Sequence, residues 1–192
     1  MRPSKRDTIL AAAIRVVELH GVAAVTYESV ADEASLTKGG ILYHFPSRDS
    51  LLSAVQEFLA AHWESSMLEA AGTTSAETLS EGERLAAYAR IAAHSATRAE
   101  LLLILEAATN TERSAPWTGN VNRWTPPLPT SLPPTAEQMN LIIARLAADG
   151  LWLHDTITGS PMPSALRDHI AAHLAHLADP ATDQTDDVRP SP

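Results

Sequence analysis

The sequence contains no cysteine and few aromatic residues, and these shortages exclude several kinds of protein. Without cysteine the chain forms no disulfide, performs no thiol chemistry and offers no sulfur ligand to a metal. No apolar run approaches the roughly 20 residues that a membrane-spanning helix needs. The basic and then apolar start is interrupted by Arg15 and Glu18, which indicates an amphipathic helix and not a signal peptide. We therefore expect a soluble cytoplasmic protein without membrane contact.

The residues that are abundant favour helices. Hydrophobic residues make up 45% of the chain and aromatic residues only 5%, with much alanine and leucine, which suits packed helices better than sheet. Neither a strand-like alternation nor an internal repeat is visible, and 192 residues suffice for one domain or two small ones. The sequence predicts an all-α fold.

The net charge of −9 weighs against nucleic acid as a partner. The distribution of charge changes this conclusion, because six basic and six acidic side chains balance within residues 1–50. The negative excess therefore lies in the later part of the chain, and the first fifty residues are not repelled by phosphate overall.

Capping residues divide the first seventy residues into four predicted helices. The predicted helices cover residues 4–20, 27–34, 38–45 and 47–71, with Ser4, Thr26, Thr37 and Ser47 as their N-caps. Ser4 and Asp7 have the spacing of a capping box, Gly21 ends the first helix, and Pro46 ends the third. Farther along, helices are expected over 81–95, 97–112, 135–157 and 163–178. The segment 114–135 is rich in proline and asparagine, which predicts an irregular lid or a disordered excursion.

The stretch "SLTKGGILYHFPSRDSLL", residues 35–52, contains two adjacent glycines inside a predicted helix. Two short helices joined by a tight turn form a helix-turn-helix, whose second helix enters the major groove of DNA. Glycine lets the backbone approach phosphates or base edges closely, which would offset its cost in helix propensity. The alternative is that Gly39 and Gly40 only permit close helix packing and that Tyr43 and His44 are half-buried core residues.

Residues 4–52 resemble the DNA-binding domain of the tetracycline-repressor (TetR) family of bacterial regulators. The resemblance rests on Gly21, Thr26, "VA" at 30–31, Thr37, Gly39, "LYHF" at 42–45, and Arg48 with the following "DSLL", in order and spacing. It implies that the recognition helix runs from Lys38 to Phe45. The DNA-contacting positions that it implies are Thr26, Tyr27, Thr37, Lys38, Gly39, Gly40, Leu42, Tyr43, His44 and Arg48.

The chain departs from the family pattern at Gly40, where many members carry a larger residue that could read a base. Fewer side chains then remain for direct readout, so DNA shape and the basic arm of Arg2, Lys5 and Arg6 gain importance. Ile41 and Phe45 lie four residues apart on one helix face and are predicted to be core residues.

The remaining helices resemble the family's ligand-sensing and dimerising domain. Met139, Ile143, Leu146 and Gly150 belong to one apolar stripe of the helix at 135–157, and a second stripe lies roughly opposite. A helix that is apolar on two sides is buried on two sides, against its own domain and against a partner. With a stripe of Leu166, Ile170, Leu174 and Leu177 on the last helix, this predicts a homodimer through a four-helix bundle, which reads a palindromic operator in double-stranded DNA.

A small-molecule effector is expected in a mostly apolar pocket with a few polar groups. The candidate lining residues are Phe58, His62, Trp63, Tyr88, Leu102, Glu106, Asn110, Trp117 and Trp152. The 114–135 segment could lie over the pocket as a lid. Ordinary core packing is the alternative for each of these residues, and Glu106 and Asn110 could equally cap a helix or pair inside the dimer.

No catalytic motif, metal motif or phosphate-binding loop is visible, so we expect neither an enzyme nor a cofactor. His169, His173 and His176 share one face of the last helix, but three side chains on one helix cannot easily surround one ion, and no metal is predicted.

The expected domains are a helix-turn-helix DNA-binding domain at 1–47, a helical ligand-sensing and dimerisation domain at 48–178, and a disordered tail at 179–192. The predicted function is a ligand-released repressor; the alternative is a regulator controlled by a protein partner through the 114–135 loop.

Overall fold

The computed structural model describes residues 4–180, and over these residues the chain is helical without a β-strand. The α-helices of this range are α1 (Lys5–His20), α2 (Tyr27–Ala34), α3 (Lys38–His44), α4 (Arg48–Ala71), α5 (Glu81–Ile91), α6 (Arg98–Ala107), α7 (Thr111–Trp124), α8 (Ala136–Thr158) and α9 (Ser164–Ala178). Short 3-10 turns cover Val22–Ala24 and Ala76–Thr78. The all-α prediction is confirmed; Arg2 and most of the predicted disordered tail lie outside the described residues.

The predicted N-caps hold the helix starts. Ser4 and Asp7 form the expected capping box at α1. The hydroxyl of Thr26 accepts the Ser29 N–H, and that of Thr37 accepts the Gly40 N–H at 3.1 Å. Each such bond satisfies one of the free N–H groups at a helix start. Helices α1, α2 and α3 therefore start at the predicted residues.

The segment 114–135 is only partly irregular, so the loop prediction is wrong for its first half. Residues Thr111–Trp124 form α7, with Pro116 inside the helix. The side chain of Asn110 caps this helix by accepting the Arg113 N–H at 3.0 Å, which confirms one of the two alternatives for Asn110. Pro116 removes a single backbone hydrogen bond, and the burial of Trp124 together with the packing of Trp117 on Trp63 outweighs it. The Trp117–Trp124 stretch is thus a helix and not a lid loop.

The described residues pack as two compact units. The first unit comprises the residues up to Trp63 together with Ala96–Asn120. Its apolar core is built by α1, α2, α3, the start of α4 and α6, and it includes Ile41 and Phe45, which confirms both as core residues. Two polar contacts tie α6 into this unit: the Glu18 carboxylate accepts the Ala99 N–H at 2.6 Å, and the Gln56 amide donates to the Leu103 carbonyl at 2.7 Å.

The second unit comprises Glu64–Ser95 and the residues from Val121 onward. Helices α5, α8 and α9 pack against one another here. A Cβ at Gly82 would lie 2.7 Å from the Ala178 carbonyl oxygen, so glycine is required for the close approach of α5 and α9. Buried Arg167 of α9 donates to the Leu151 carbonyl at 2.7 Å and to the Asp155 carboxylate. These contacts fix α9 against α8.

One residue of the predicted dimer seam belongs to this core instead. Leu174 is buried within its own unit, whereas Leu166 of the same predicted stripe is exposed. On α8 the inward side is formed by Ala144, Ala148 and Leu151. The large apolar residues of α8 left exposed by this packing are Met139, Ile143, Leu146 and Ile157. We call these four residues the α8 stripe.

Candidate nucleic-acid interface

A sharp turn sets α3 against α2. Ser35 ends α2 in the left-handed conformation, with φ of 54°. Thr37 then starts α3, which buries Ile41 and leaves Leu42 and Tyr43 exposed. Helix α3 is anchored on its inner side by Ile41 and Phe45, so its outer side is available to a ligand. This is the arrangement of a helix-turn-helix.

The two glycines of α3 are not explained by packing inside the chain. Apart from its chain neighbours and the backbone of its own helix, a Cβ added at Gly39 would have no atom of the described residues within 4 Å. A Cβ at Gly40 would come within 3.3 Å of the Thr37 hydroxyl, which is the N-cap of the same helix. The helix-packing alternative therefore has no support at Gly39, and the backbone there is open to a close approach from outside the chain.

Tyr43 is the most exposed large side chain of this surface, since 86% of it is accessible. Its ring meets that of His44 edge to face, with 5.2 Å between the ring centres. His44 is half-buried. The alternative that Tyr43 is a half-buried core residue is therefore wrong.

Lys38 opens α3 and is paired with Glu28 of α2. Its amino group lies 2.5 Å from the carboxylate, and both side chains are more than half exposed. The hydrogen bond from Lys38 lowers the pKa of Glu28, so the carboxylate remains charged. An exposed ion pair contributes little stability, and Lys38 can exchange its partner for a phosphate. Glu28 was not among the residues predicted from the sequence. Its position in the first turn of α2 is the only signal that could have suggested a contact with the start of α3.

Two of the predicted DNA contacts are used inside the chain. The Arg48 guanidinium donates to the carbonyls of Val25 and Val22 at 2.9 and 2.8 Å. The Tyr27 hydroxyl donates to the Phe45 carbonyl at 3.1 Å, and its ring packs on the core. Arg48 thus holds α4 to the segment before α2, and Tyr27 holds α2 to the end of α3. Sequence position alone could not reveal these carbonyl partners.

The basic arm is described from Ser4 onward. Lys5 lies exposed in the first turn of α1. The Arg6 guanidinium lies over the Phe45 ring, 5.5 Å from its centre, and 3.8 Å from the Glu57 carboxylate. Lys5 is therefore available to phosphate, whereas the Arg6 guanidinium, although 47% of its side chain is exposed, already has an aromatic and an acidic neighbour.

The nine predicted ligand-lining residues are divided between the two units and do not form one site within either. Phe58, His62, Trp63, Leu102, Glu106, Asn110 and Trp117 belong to the first unit, and Tyr88 and Trp152 to the second. Trp63 and Trp117 pack edge to face at 4.8 Å, and His62 is exposed. Glu106 pairs with Arg113, and Asn110 caps α7. Burial, together with the nearby Asp149 carboxylate, raises the pKa of Tyr88, whose hydroxyl donates to Asp149 at 2.5 Å.

A cavity of about 420 Å³ lies elsewhere in the second unit. It is lined by Glu81, by Pro126–Ser131 and by Gln138, Leu141, Ile142 and Arg145. None of the nine predicted residues takes part. A sequence signal existed in Arg145, a cation placed one turn before Asp149 on an apolar helix, but sequence periodicity does not show a cavity.

Neither a metal centre nor a membrane-spanning helix is found between residues 4 and 180. No group of three or more metal-ligating side chains in this range is arranged to hold an ion, and His169, His173 and His176 are all exposed. Every helix in the same range is too short or too polar to cross a membrane.

The fold and the exposed α3 surface define a helix-turn-helix protein, and comparison with known proteins specifies the class. Residues 9–55 match the sequence model of bacterial regulatory proteins of the tetR family, and residues 82–179 match that of the tetracyclin repressor-like C-terminal domain. No curated protein matches the chain significantly. The chain belongs to the TetR family of transcriptional regulators, which are non-enzymatic DNA-binding proteins with a ligand-binding domain.

Solved structures share the fold at low sequence identity. A TetR-family member from Streptomyces coelicolor, SCO1917, is 22% identical; 90% of this chain aligns with 98% of that one, at a TM-score of 0.59. The multidrug binding protein EbrR complexed with malachite green is also 22% identical, over 90% and 98% of the two chains, at a TM-score of 0.55. EbrR complexed with imidazole is 21% identical; 90% of this chain aligns with 96% of that one, at a TM-score of 0.53. At such identities the likeness concerns the fold.

Proposed function

We propose that this regulator is a homodimeric repressor that binds a palindromic operator and is released by a small-molecule effector. The observation that carries the proposal is the outer side of α3, where Lys38, Gly39, Leu42 and Tyr43 are free of the core. This surface suits the major groove, because a short helix with small residues at its start can approach base edges closely. The division into DNA-binding residues 1–47 and sensing residues 48–178 is part of the proposal.

The proposed DNA contacts divide by chemistry. Lys38 and Lys5 supply positive charge to phosphates, and Tyr43 and His44 supply hydrogen bonds one turn farther along α3. Gly39 and Gly40 let the backbone approach, and Thr26 and Thr37 present hydroxyls at two helix starts. Leu42 offers an apolar contact to a base. Arg48 and Tyr27 act indirectly by holding α2 in place.

The α8 stripe supports the homodimer. Met139, Ile143, Leu146 and Ile157 recur at helical spacing on the side of α8 that faces away from the core of its own unit. Pairing this stripe with its copy buries it and creates a symmetric interface. Two recognition helices then read two half-sites on a palindrome, which explains how a seven-residue helix achieves useful affinity.

Release by an effector is supported by the family and by the fold neighbours. Structures of EbrR contain malachite green or imidazole, and we propose that a small molecule likewise controls this chain. An effector weakens DNA binding only to the extent that it prefers the conformation unsuited to the operator. Control by a protein partner through residues 114–135 is not favoured, since the first half of that segment is helix.

A gel-shift titration on DNA flanking the protein's own gene, at about 50 and 200 mM salt, tests the proposal. We expect a specific complex with two chains per site and an affinity that falls steeply with salt. The double variant Lys38→Ala with Tyr43→Ala should abolish it. If flanking DNA gives no specific complex, selection from random DNA follows, and no salt-dependent binding to any DNA would refute the proposal.

A further inference from the structure

The cavity in the second unit has one wall of irregular chain and one wall of helix. Residues Pro126–Ser131 form the first wall, and Gln138, Leu141, Ile142 and Arg145 of α8 form the second. Its volume of about 420 Å³ is within the range of small-molecule sites. The prolines with Leu141 and Ile142 make most of the lining apolar, while Thr130, Ser131 and Gln138 add hydroxyl and amide groups.

Arg145 is the cation of this lining, and it lacks a carboxylate partner among residues 4–180. Its guanidinium, which is half-buried, makes one long contact, 3.5 Å from the Pro126 carbonyl oxygen. The buried arginines Arg113 and Arg167, by contrast, are each paired with carboxylates. Asp149, one turn farther along α8, instead accepts the hydroxyl of Tyr88. A half-buried guanidinium with a single weak contact is suited to receive an anion, because Arg binds carboxylates through two parallel hydrogen bonds.

The other charge of the lining orients such a ligand. Glu81 lies exposed in the first turn of α5, and its carboxylate repels an anion at that side of the cavity. An anionic group is therefore directed to Arg145, and the remainder of the ligand must be uncharged to lie along Leu141 and Ile142. A cationic ligand would meet the positive guanidinium instead.

We infer that this cavity binds a small organic monocarboxylate, with the carboxylate on Arg145 and an apolar body against Leu141 and Ile142. Its role as the effector site rests on the proposed function, whereas binding itself does not. Arg145 lies on the helix that carries the α8 stripe, between Ile143 and Leu146 in sequence. A ligand there contacts the same helix that forms the proposed dimer seam, which gives it a route to the spacing of the recognition helices.

Isothermal titration calorimetry on the full chain tests the inference with a matched set of probes. Octanoate and naphthalene-2-carboxylate are the anions, naphthalene-2-carboxamide is the neutral analogue, and 2-naphthylmethylammonium is the cation. We expect the carboxylates to bind at least about tenfold more tightly than the other two. Arg145→Gln should weaken carboxylate binding about tenfold, the usual order for losing a charged hydrogen bond. Arg90→Gln is the control, because Arg90 is a half-buried arginine of the same unit that does not line the cavity.

Three outcomes would overturn the inference. The first is that neither carboxylate binds, the second is that the neutral and cationic analogues bind as tightly as the carboxylates, and the third is that Arg145→Gln binds the carboxylates as the wild type does. If Arg145→Gln fails to fold, Ile142→Trp, which fills the cavity without changing charge, must abolish binding in its place. Operator gel shifts on the same samples separate the two proposals. If the wild-type protein binds the operator but no carboxylate, only the proposed carboxylate site is refuted. If the wild-type protein does not bind the operator, the proposed function is refuted instead.

Discussion

The Arg113 guanidinium lies 3.2 Å from the Asp49 carboxylate and donates at the same time to Glu106. Arg113 is in α7, Glu106 in α6, and Asp49 in the first turn of α4. Helix α4 begins four residues after α3 ends. This cluster therefore connects α4, the helix that follows the proposed recognition helix, to α6 and α7. Arg48, beside Asp49, continues the connection to the turn before α2.

Arg113→Met should destabilise the first unit by about 2 kcal/mol, because it leaves the half-buried Glu106 carboxylate, whose side chain is 26% exposed, without its charged partner. The Arg113 side chain is only 10% exposed, whereas Asp49 is 79% exposed. Asp49→Asn should therefore cost less than about 1 kcal/mol. Urea unfolding followed by circular dichroism measures both changes. An equal cost for the two variants would contradict the view that Glu106 is the main partner of Arg113.

Tyr43→Ala should weaken operator binding about tenfold, the usual order for one lost polar contact. The free energy of unfolding should stay within about 0.5 kcal/mol of the wild type, because the side chain is exposed. Tyr27→Phe provides the matched control, since it removes the bond to the Phe45 carbonyl and should lower stability by about 1 kcal/mol. Unfolding of the Tyr43 variant at low denaturant would show that Tyr43 belongs to the core.

Glu28→Gln should strengthen operator binding. The change removes the carboxylate that competes with a phosphate for Lys38, and it removes a negative charge beside α3. The slope of log affinity against log salt should then steepen, by at most about 0.9. Glu33→Gln removes the same charge from the same helix, but its partner is Arg15 of α1, and it should leave the slope unchanged. Fluorescence anisotropy on a labelled operator at several salt concentrations distinguishes the two variants.

Leu146→Asp should dissociate the dimer and abolish tight operator binding together. Leu146 is 63% exposed in the single chain, so the charge harms only an interface with a partner. Leu174→Ala, in the core of its own unit, should instead cost about 3 kcal/mol of stability and leave the sedimenting mass of the folded protein unchanged. Sedimentation velocity ultracentrifugation tests both. A Leu146 variant that still sediments as a dimer would refute the α8 stripe as the seam.

Local chemistry made much of the fold predictable. Ser4, Thr26 and Thr37 lie where their side chains must satisfy free N–H groups, so the first three helix starts follow from sequence alone. Proline was a poorer guide, because Pro116 costs one hydrogen bond and does not prevent a helix that buries Trp124 and packs Trp117 on Trp63. A cap at Asn110 and a tryptophan at each end of 117–124 were the signals that favoured α7.

Contacts between distant segments were beyond the sequence. Periodicity shows that Leu166, Ile170 and Leu174 share a side of α9, but it does not show which of them turns toward the chain's own core. The same limit applies to Arg48, whose partners Val22 and Val25 lie more than twenty residues earlier. The cavity beside Arg145 depends on how residues 126–131 fold back over α8, and no local pattern encodes that.

The open space around Gly39 has a consequence for how this protein can change its target. Alanine there should stabilise α3 by about 1 kcal/mol, since nothing in the described chain resists a side chain. Folding therefore does not require glycine at this position, whereas the proposed close approach to DNA does. A new side chain at residue 39 would alter which operators are accepted without disturbing the fold, so this one position separates the choice of target from the stability of the regulator.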